Sequence, residues 1–176
     1  MSTRDKLVNL GKRVATGRDG DFIELAADST DAALSPYHVD RSLLFVRERF
    51  SAEFDRHGVL KAELIFGFIE KTRFPFPPDD HKNKDFLAEL VRAADLIGQL
   101  GDPNRLQKCL SLFKEFEEIG LNARLGYRRP EDLRRSNTKF YYEVAAPHIQ
   151  GALGCLKLTP EGRQWICYLQ ANVGGH

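Results

Sequence analysis

The chain has 176 residues, 42% apolar and 29% charged, enough for one soluble domain with a sizeable core. Its 26 Lys and Arg against 25 Asp and Glu leave a net charge of +1, which argues against a dedicated nucleic-acid binder, since those usually carry a basic excess. The three cysteines, Cys109, Cys155 and Cys167, stand far apart with no C-x-x-C pair, which points to buried thiols in a reducing compartment and away from a disulfide framework or a zinc site.

Met1-Ser2-Thr3-Arg4-Asp5-Lys6 leads into no apolar signal region, and no apolar run approaches membrane-spanning length. A cytoplasmic location without membrane contact is therefore expected. Leu7, Leu10 and Val14 recur at helical spacing and predict a short helix over residues 5–16. Gly17-Arg18-Asp19-Gly20 breaks it, and Asp21 caps a second helix with Ile23, Ala26, Ala27 and Ala33 on its apolar side. Ser35-Pro36 opens a third, running from Tyr37 to about Arg56, with Leu43, Leu44, Val46, Phe50 and Phe54 as its apolar face. After Gly58, Leu60, Leu64, Ile65, Phe68 and Ile69 form the next stripe.

Three prolines in four positions rule out a helix interior at Phe74-Pro75-Phe76-Pro77-Pro78, so this aromatic, charged stretch is a loop. Asp85 restarts a helix that ends at Gly101-Asp102-Pro103. A further helix follows on Leu106, Leu110, Phe113 and Phe116 and stops at Gly120. Residues 121–139 are Arg-rich, with a short helix after Pro130. Phe140 to Leu158 and Pro160 to Val173 read as the last two helices, with Thr159 as a cap. No stretch alternates at period two. The expected class is all-α, eight or nine helices in one domain over residues 1–176, with N-terminal helices in residues 1–34.

Asp95 stands alone in the apolar run Leu90-Val91-Arg92-Ala93-Ala94-Asp95-Leu96-Ile97. Such a carboxylate costs several kcal/mol to bury unless it is paired, metal-bound or protonated. It either pairs with Arg92 at i, i+3 on the helix surface or points into a site. His38 and Asp40 sit in a helix's first turn, where Asp suits the helix dipole. His57 precedes Gly58 at a helix end, where His commonly meets the last carbonyls. Arg124, Arg128, Arg129, Arg134, Arg135 and Lys139, with Tyr127, Tyr141 and Tyr142, suit a phosphate or an anionic polymer, but Glu131 and Asp132 dilute them toward a solvated face.

The run around Asp95 resembles the helix that carries the last metal-binding Asp in the HD superfamily of metal-dependent phosphohydrolases, which includes the cyclic-nucleotide phosphodiesterases. Ile65 to Thr72 resembles the preceding helix, which in many members ends in Thr before a loop. Asp102-Pro103 and Leu112-Phe113-Lys114-Glu115-Phe116 suit the segment after it, and Tyr37-His38 resembles the Tyr-His that opens the first metal helix. The resemblance covers residues 36–173 and is most specific over 60–118. There is no His-Asp doublet, and no His near Arg41 or Ser42. The resemblance therefore implies a partial ligand set, Asp95, His38 and His57, for a divalent Mg or Mn ion. A bound metal would activate water against a phosphoester such as a nucleotide, with Arg73 and Arg124 meeting the phosphate. Two alternatives are an inactive domain that binds a nucleotide or protein partner, and a helical interaction module using loop 74–78. Homo-oligomerisation is left open.

Overall fold

Gly17 and Gly20, at φ 88° and 68°, turn the chain back on itself. They join strand β1 (Arg13–Ala15) to β2 (Phe22–Glu24), paired antiparallel with Val14 opposite Ile23. The computed structural model describes residues 13–57, 62–76 and 85–174. The expected first helix is thus a strand where it is described, and its residues 5–12 lie outside the described residues. Asp21 does not cap a helix. Its carboxylate accepts a bond from the buried Thr16 hydroxyl at 3.1 Å and closes the turn. Residues 31–37 instead form a 3-10 turn, Asp31–Tyr37, in which the Ala32 N–H donates to Thr30 Oγ1. Pro36 lies inside this turn and not at the first position of an α-helix.

From there the described chain is mostly helical: α1 (His38–His57), α2 (Ala62–Lys71), α3 (Phe86–Leu100), α4 (Arg105–Glu118), α5 (Leu121–Leu125), α6 (Pro130–Phe140), α7 (Ala146–Leu156) and α8 (Pro160–Gly174); the periodicity implies all of these but the short α5. A π-helical turn, Tyr141–Ala145, joins α6 to α7, so that the expected helix Phe140–Leu158 is α only from Ala146 and the expected break before Phe140 is absent. Pro147 explains the π turn. A proline one turn past Glu143 has no N–H to give that carbonyl. The chain widens ahead of it, and the Ala146 N–H reaches Tyr141 O, five residues back.

The chain divides into two compact units, residues 1–73 with 115–121, and residues 74–114 with 122–176. In the first, the hairpin docks on the start of α1. A Cβ on Gly17 would stand 2.2 Å from the Asp40 carbonyl carbon, so only glycine fits. The Arg41 guanidinium donates to Ala15 O at 2.6 Å. Asp40 accepts from Arg18 Nε at 3.0 Å and Arg73 Nη2 at 2.5 Å, and Arg73 also donates to Glu70. Thr30, through its N–H and hydroxyl, donates to both Glu118 carboxylate oxygens.

In the second unit, α3 packs on α7 and α8 around Leu96, Leu100, Ile149 and Leu169. Asp85 caps α3 by accepting from the Leu87 and Ala88 N–H groups. At the other end, the Asn172 amide of α8 donates to Leu100 O and Asp102 O, satisfying carbonyls left open past the helix. A Cβ on Gly162 would meet Leu156 O at 2.1 Å, so α8 starts pressed against the end of α7. Among the described residues, no helix is long and apolar enough to cross a membrane.

The Arg73 hydrogen bond, helped by Arg18, holds Asp40 below the usual carboxylate range and outweighs the burial that would raise it. A depressed folded pKa stabilises above the unfolded value, about 3.9, and the stabilisation is lost as pH falls through the folded value. Asp40→Asn should therefore cost about 1–3 kcal/mol at neutral pH. In urea melts the gap from wild type should close as the pH falls below about 4. Gly17→Ala should cost about 2–4 kcal/mol, since it combines a positive φ with a backbone clash. A Gly17→Ala protein with an unchanged melting temperature would contradict the docking of the hairpin on Asp40.

Candidate functional site

The buried charge in the apolar run of α3 is Arg92, not Asp95. Six buried residues of this helix, Ala88, Arg92, Ala93, Leu96, Ile97 and Leu100, recur at spacings of three and four, and Arg92 falls on that stripe. Its residue exposure is 1%. The guanidinium lies 4.6 Å from the Phe76 ring centroid, a cation–π distance. Its Nη1 stands 3.4 Å from His148 Nδ1 and 3.5 Å from Glu89 Oε2, one turn earlier on α3. The Nδ1 edge of the His148 ring faces both the guanidinium and, at 3.9 Å, Glu89 Oε2. The Phe76 and His148 rings meet at 4.5 Å. Phe74 packs edge-on against Phe76 and Phe140, and the Phe74–Pro75 bond is cis.

The π turn sets this geometry up. It precedes α7 by one helical step, so that Ala145 and Ile149 are fully buried while His148 faces Arg92 and Glu89. The cluster is a matched set. One cation has an aromatic face, an imidazole ring and a carboxylate around it. Such an arrangement anchors the start of loop 74–78 to α3 and α7, and it leaves Phe76 less suited to contact a partner.

Beside this cluster, α3, α7 and α8 enclose an apolar groove of about 430 Å³ that is open to solvent. Ile97 and Ala152 belong to the buried core and form its floor. Leu90, Ala94 and Gly98 make the α3 wall, Cys155 and Leu156 the α7 wall, and Trp165 of α8 stands at one side. The Thr159 hydroxyl also lines the groove, but it accepts the Gly162 N–H at 3.0 Å as the cap of α8. A Cβ on Gly98 would meet nothing within 4 Å.

A family model described as Npun_R2479-like matches residues 4–175. The chain belongs to that family. No curated protein and no solved structure matches it. The family assignment overturns the resemblance to HD phosphohydrolases, because the model that spans nearly the whole chain is not an HD family. The resemblance rested on an apolar helix with one acid, a Tyr-His pair and an Asp-Pro turn, and a helical core of any family can carry these.

The residues proposed as metal ligands each have their own surroundings. Asp95 is half-buried on α3, and its Oδ1 accepts from Gln99 Nε2, one turn on, at 3.0 Å. It does not pair with Arg92, which turns toward Glu89 and His148. His38 belongs to the other unit and is exposed, with Nδ1 2.7 Å from Ser35 O in the turn before α1. His57 ends α1, and its side chain lies outside the described residues. Among the described residues, no three His, Cys, Asp or Glu side chains gather into a metal-binding group. Arg73 is committed to Asp40 and Glu70, which raise its pKa further above the ordinary arginine value. Arg124 stands exposed in the last turn of α5. Of the cysteines, Cys109 is buried as expected, while Cys155 and Cys167 are exposed.

Arg92 and His148 were not singled out from the sequence. The four-residue spacing of Ala88, Arg92, Leu96 and Leu100 already placed Arg92 on the core stripe. His148 carried no such signal, because its direction depends on the π turn. Arg92→Met should destabilise the protein by about 3 kcal/mol, since it removes the buried cation that Phe76, Glu89 and His148 converge on. Asp95→Ala should change stability by less than about 0.5 kcal/mol. Urea melts of the two variants check both, and the reverse ranking would contradict the assignment of the buried charge.

Proposed function

We propose that the chain is a helical docking module whose α3/α7/α8 groove receives the apolar face of a helix from a protein partner. The observation that carries this reading is the solvent-open apolar groove with Gly98 on its wall. A glycine inside a helix costs about 1 kcal/mol relative to alanine. At Gly98 the protein's own packing does not require it, since the space over it is empty. Small residues one turn apart, Ala94 and Gly98, let another backbone come close. From Leu90 to Gly98 the wall runs about 12 Å at 1.5 Å per residue, room for two turns of a docked helix.

A metal-dependent phosphohydrolase, the first of the readings the sequence raised, has weaker support. Asp95 is bonded to Gln99, and Arg73 to Asp40 and Glu70. The contact loop 74–78 is likewise less suited than the groove, because Phe76 packs on His148 and Arg92.

Trp165 is the single tryptophan, so its fluorescence reports on the groove directly. Peptides selected from a displayed library on the folded protein should carry apolar residues at i, i+3 and i+4 and should shift Trp165 emission. Ala94→Arg, at an exposed position, should weaken the selected peptides at least about tenfold, a loss of about 1.4 kcal/mol. Gly98→Ala should stabilise the fold by about 0.5–1 kcal/mol while weakening the same peptides. Peptides that bind wild type and Ala94→Arg equally well would sink the proposal.

A further inference from the structure

Residues 122–142 hold six basic side chains against two acidic ones, a surplus of four in a chain whose net charge is only +1. The balanced total conceals a segregated charge. Gly126, at φ 75°, turns α5 into α6, and the Tyr127 N–H donates to Asn122 O to hold the turn. Asp132 accepts the Arg128 and Arg129 N–H groups and so starts α6, and these bonds hold it as a carboxylate beside Arg129. On α6 the buried positions are Leu133 and Asn137. The helical repeat then places Glu131, Arg134, Arg135 and Lys139 on the opposite, exposed face.

Lys139 Nζ pairs with Glu143 at 3.8 Å, and Tyr142, one helical turn past Lys139 in sequence, is 65% exposed with its ring edge-on to Tyr141. Among the described residues, Arg124, Arg128, Arg134 and Arg135 form no ion pair, whereas Arg129 stands 3.7 Å from Asp132. The exposed side of α6 thus carries Arg134 and Arg135 without an ion pair, the exposed Arg124 and Arg128 precede it in the chain, and the exposed Tyr142 follows it. Arginine forks match phosphate oxygens in pairs, and an exposed ring offers a stacking surface to a base. Carboxylates of an acidic protein would use the charge but not the ring, and a duplex keeps its bases stacked away from it.

We propose that this α5–α6 face binds a single-stranded nucleic acid, with the arginines on the phosphate backbone and Tyr142 under a base. This is independent of the groove, which lies on α3, α7 and α8.

The test uses the full chain and fluorescein-labelled 20-nucleotide oligo(dT) and oligo(U), read by anisotropy. Single strands should bind with a log–log salt slope of about −3, as expected for four to five neutralised phosphates. Arg134→Glu/Arg135→Glu/Lys139→Glu, all at exposed positions, should weaken binding more than about tenfold and flatten the slope by about 2. Tyr142→Ala should weaken binding several-fold and leave the slope unchanged. The preferred oligonucleotide decides between DNA and RNA. Binding of a 20-base-pair duplex, of poly-glutamate or of phosphatidylserine vesicles as tightly as the single strands would overturn the proposal, as would no binding at low salt. So would a triple variant with an unchanged slope. Circular dichroism of the variants confirms that the helices persist.

Discussion

A guanidinium buried inside an apolar helix organises the second unit. Taking such a charge from water is expensive, and a protein keeps it only where every side of it is answered. Here Phe76 supplies a ring face, His148 an imidazole nitrogen and Glu89 an opposite charge. Three segments far apart in sequence must therefore meet at Arg92: the start of the proline loop, the first turns of α3, and α7. The apolar residues that surround it, Ala93, Leu96, Ile97 and Ile149, then complete a core that the charge alone would not stabilise.

The chain reaches this arrangement through local devices at helix ends. Asp85 caps α3, Asn172 takes up the carbonyls beyond its last turn, and Thr159 caps α8. Pro147 widens one turn and thereby aims α7. Gly162 lets α8 begin against the backbone of α7 at a distance no side chain would allow. The groove follows from these choices. It is the gap left where α3 presents small residues while α7 and α8 are already held together by their own close contact. In the first unit a parallel logic holds, with Asp40 at the start of α1 taking two arginines and Gly17 letting the hairpin lie against the same turn.

The helices beyond residue 37 were legible because their stripes are long and their caps are explicit. Asp85, Gly101, Gly120, Pro130 and Thr159-Pro160 all mark ends close to where helices start or stop. The N-terminal segment was misread because Leu7, Leu10 and Val14 fit a helical period, while the strand pair depends on Gly17 and Gly20 taking positive φ and on a dock at Asp40 distant in sequence. The candidate site was the least legible part. Asp95 drew attention as the acid in an apolar run, yet the helix period carries Arg92 inward and leaves Asp95 at the margin with Gln99. The likeness to HD enzymes amplified that misreading, since it gave Asp95 a role that the family assignment does not support.

Composition and periodicity by themselves determined an all-helical protein, its later helix boundaries and the Arg-rich segment after α5. These are local properties, set by which residues repeat every three to four positions and which cannot continue a helix. Only the tertiary structure decided that Arg92 is the buried charge, that His148 answers it, that Arg73 is held by Asp40, and that α3, α7 and α8 leave an apolar groove. Each of these depends on side chains from separate segments coming within reach of one another, as with the separations of 33 between Asp40 and Arg73 and 56 between Arg92 and His148. A helical repeat says which face a residue takes, but it does not say what the facing element brings to meet it.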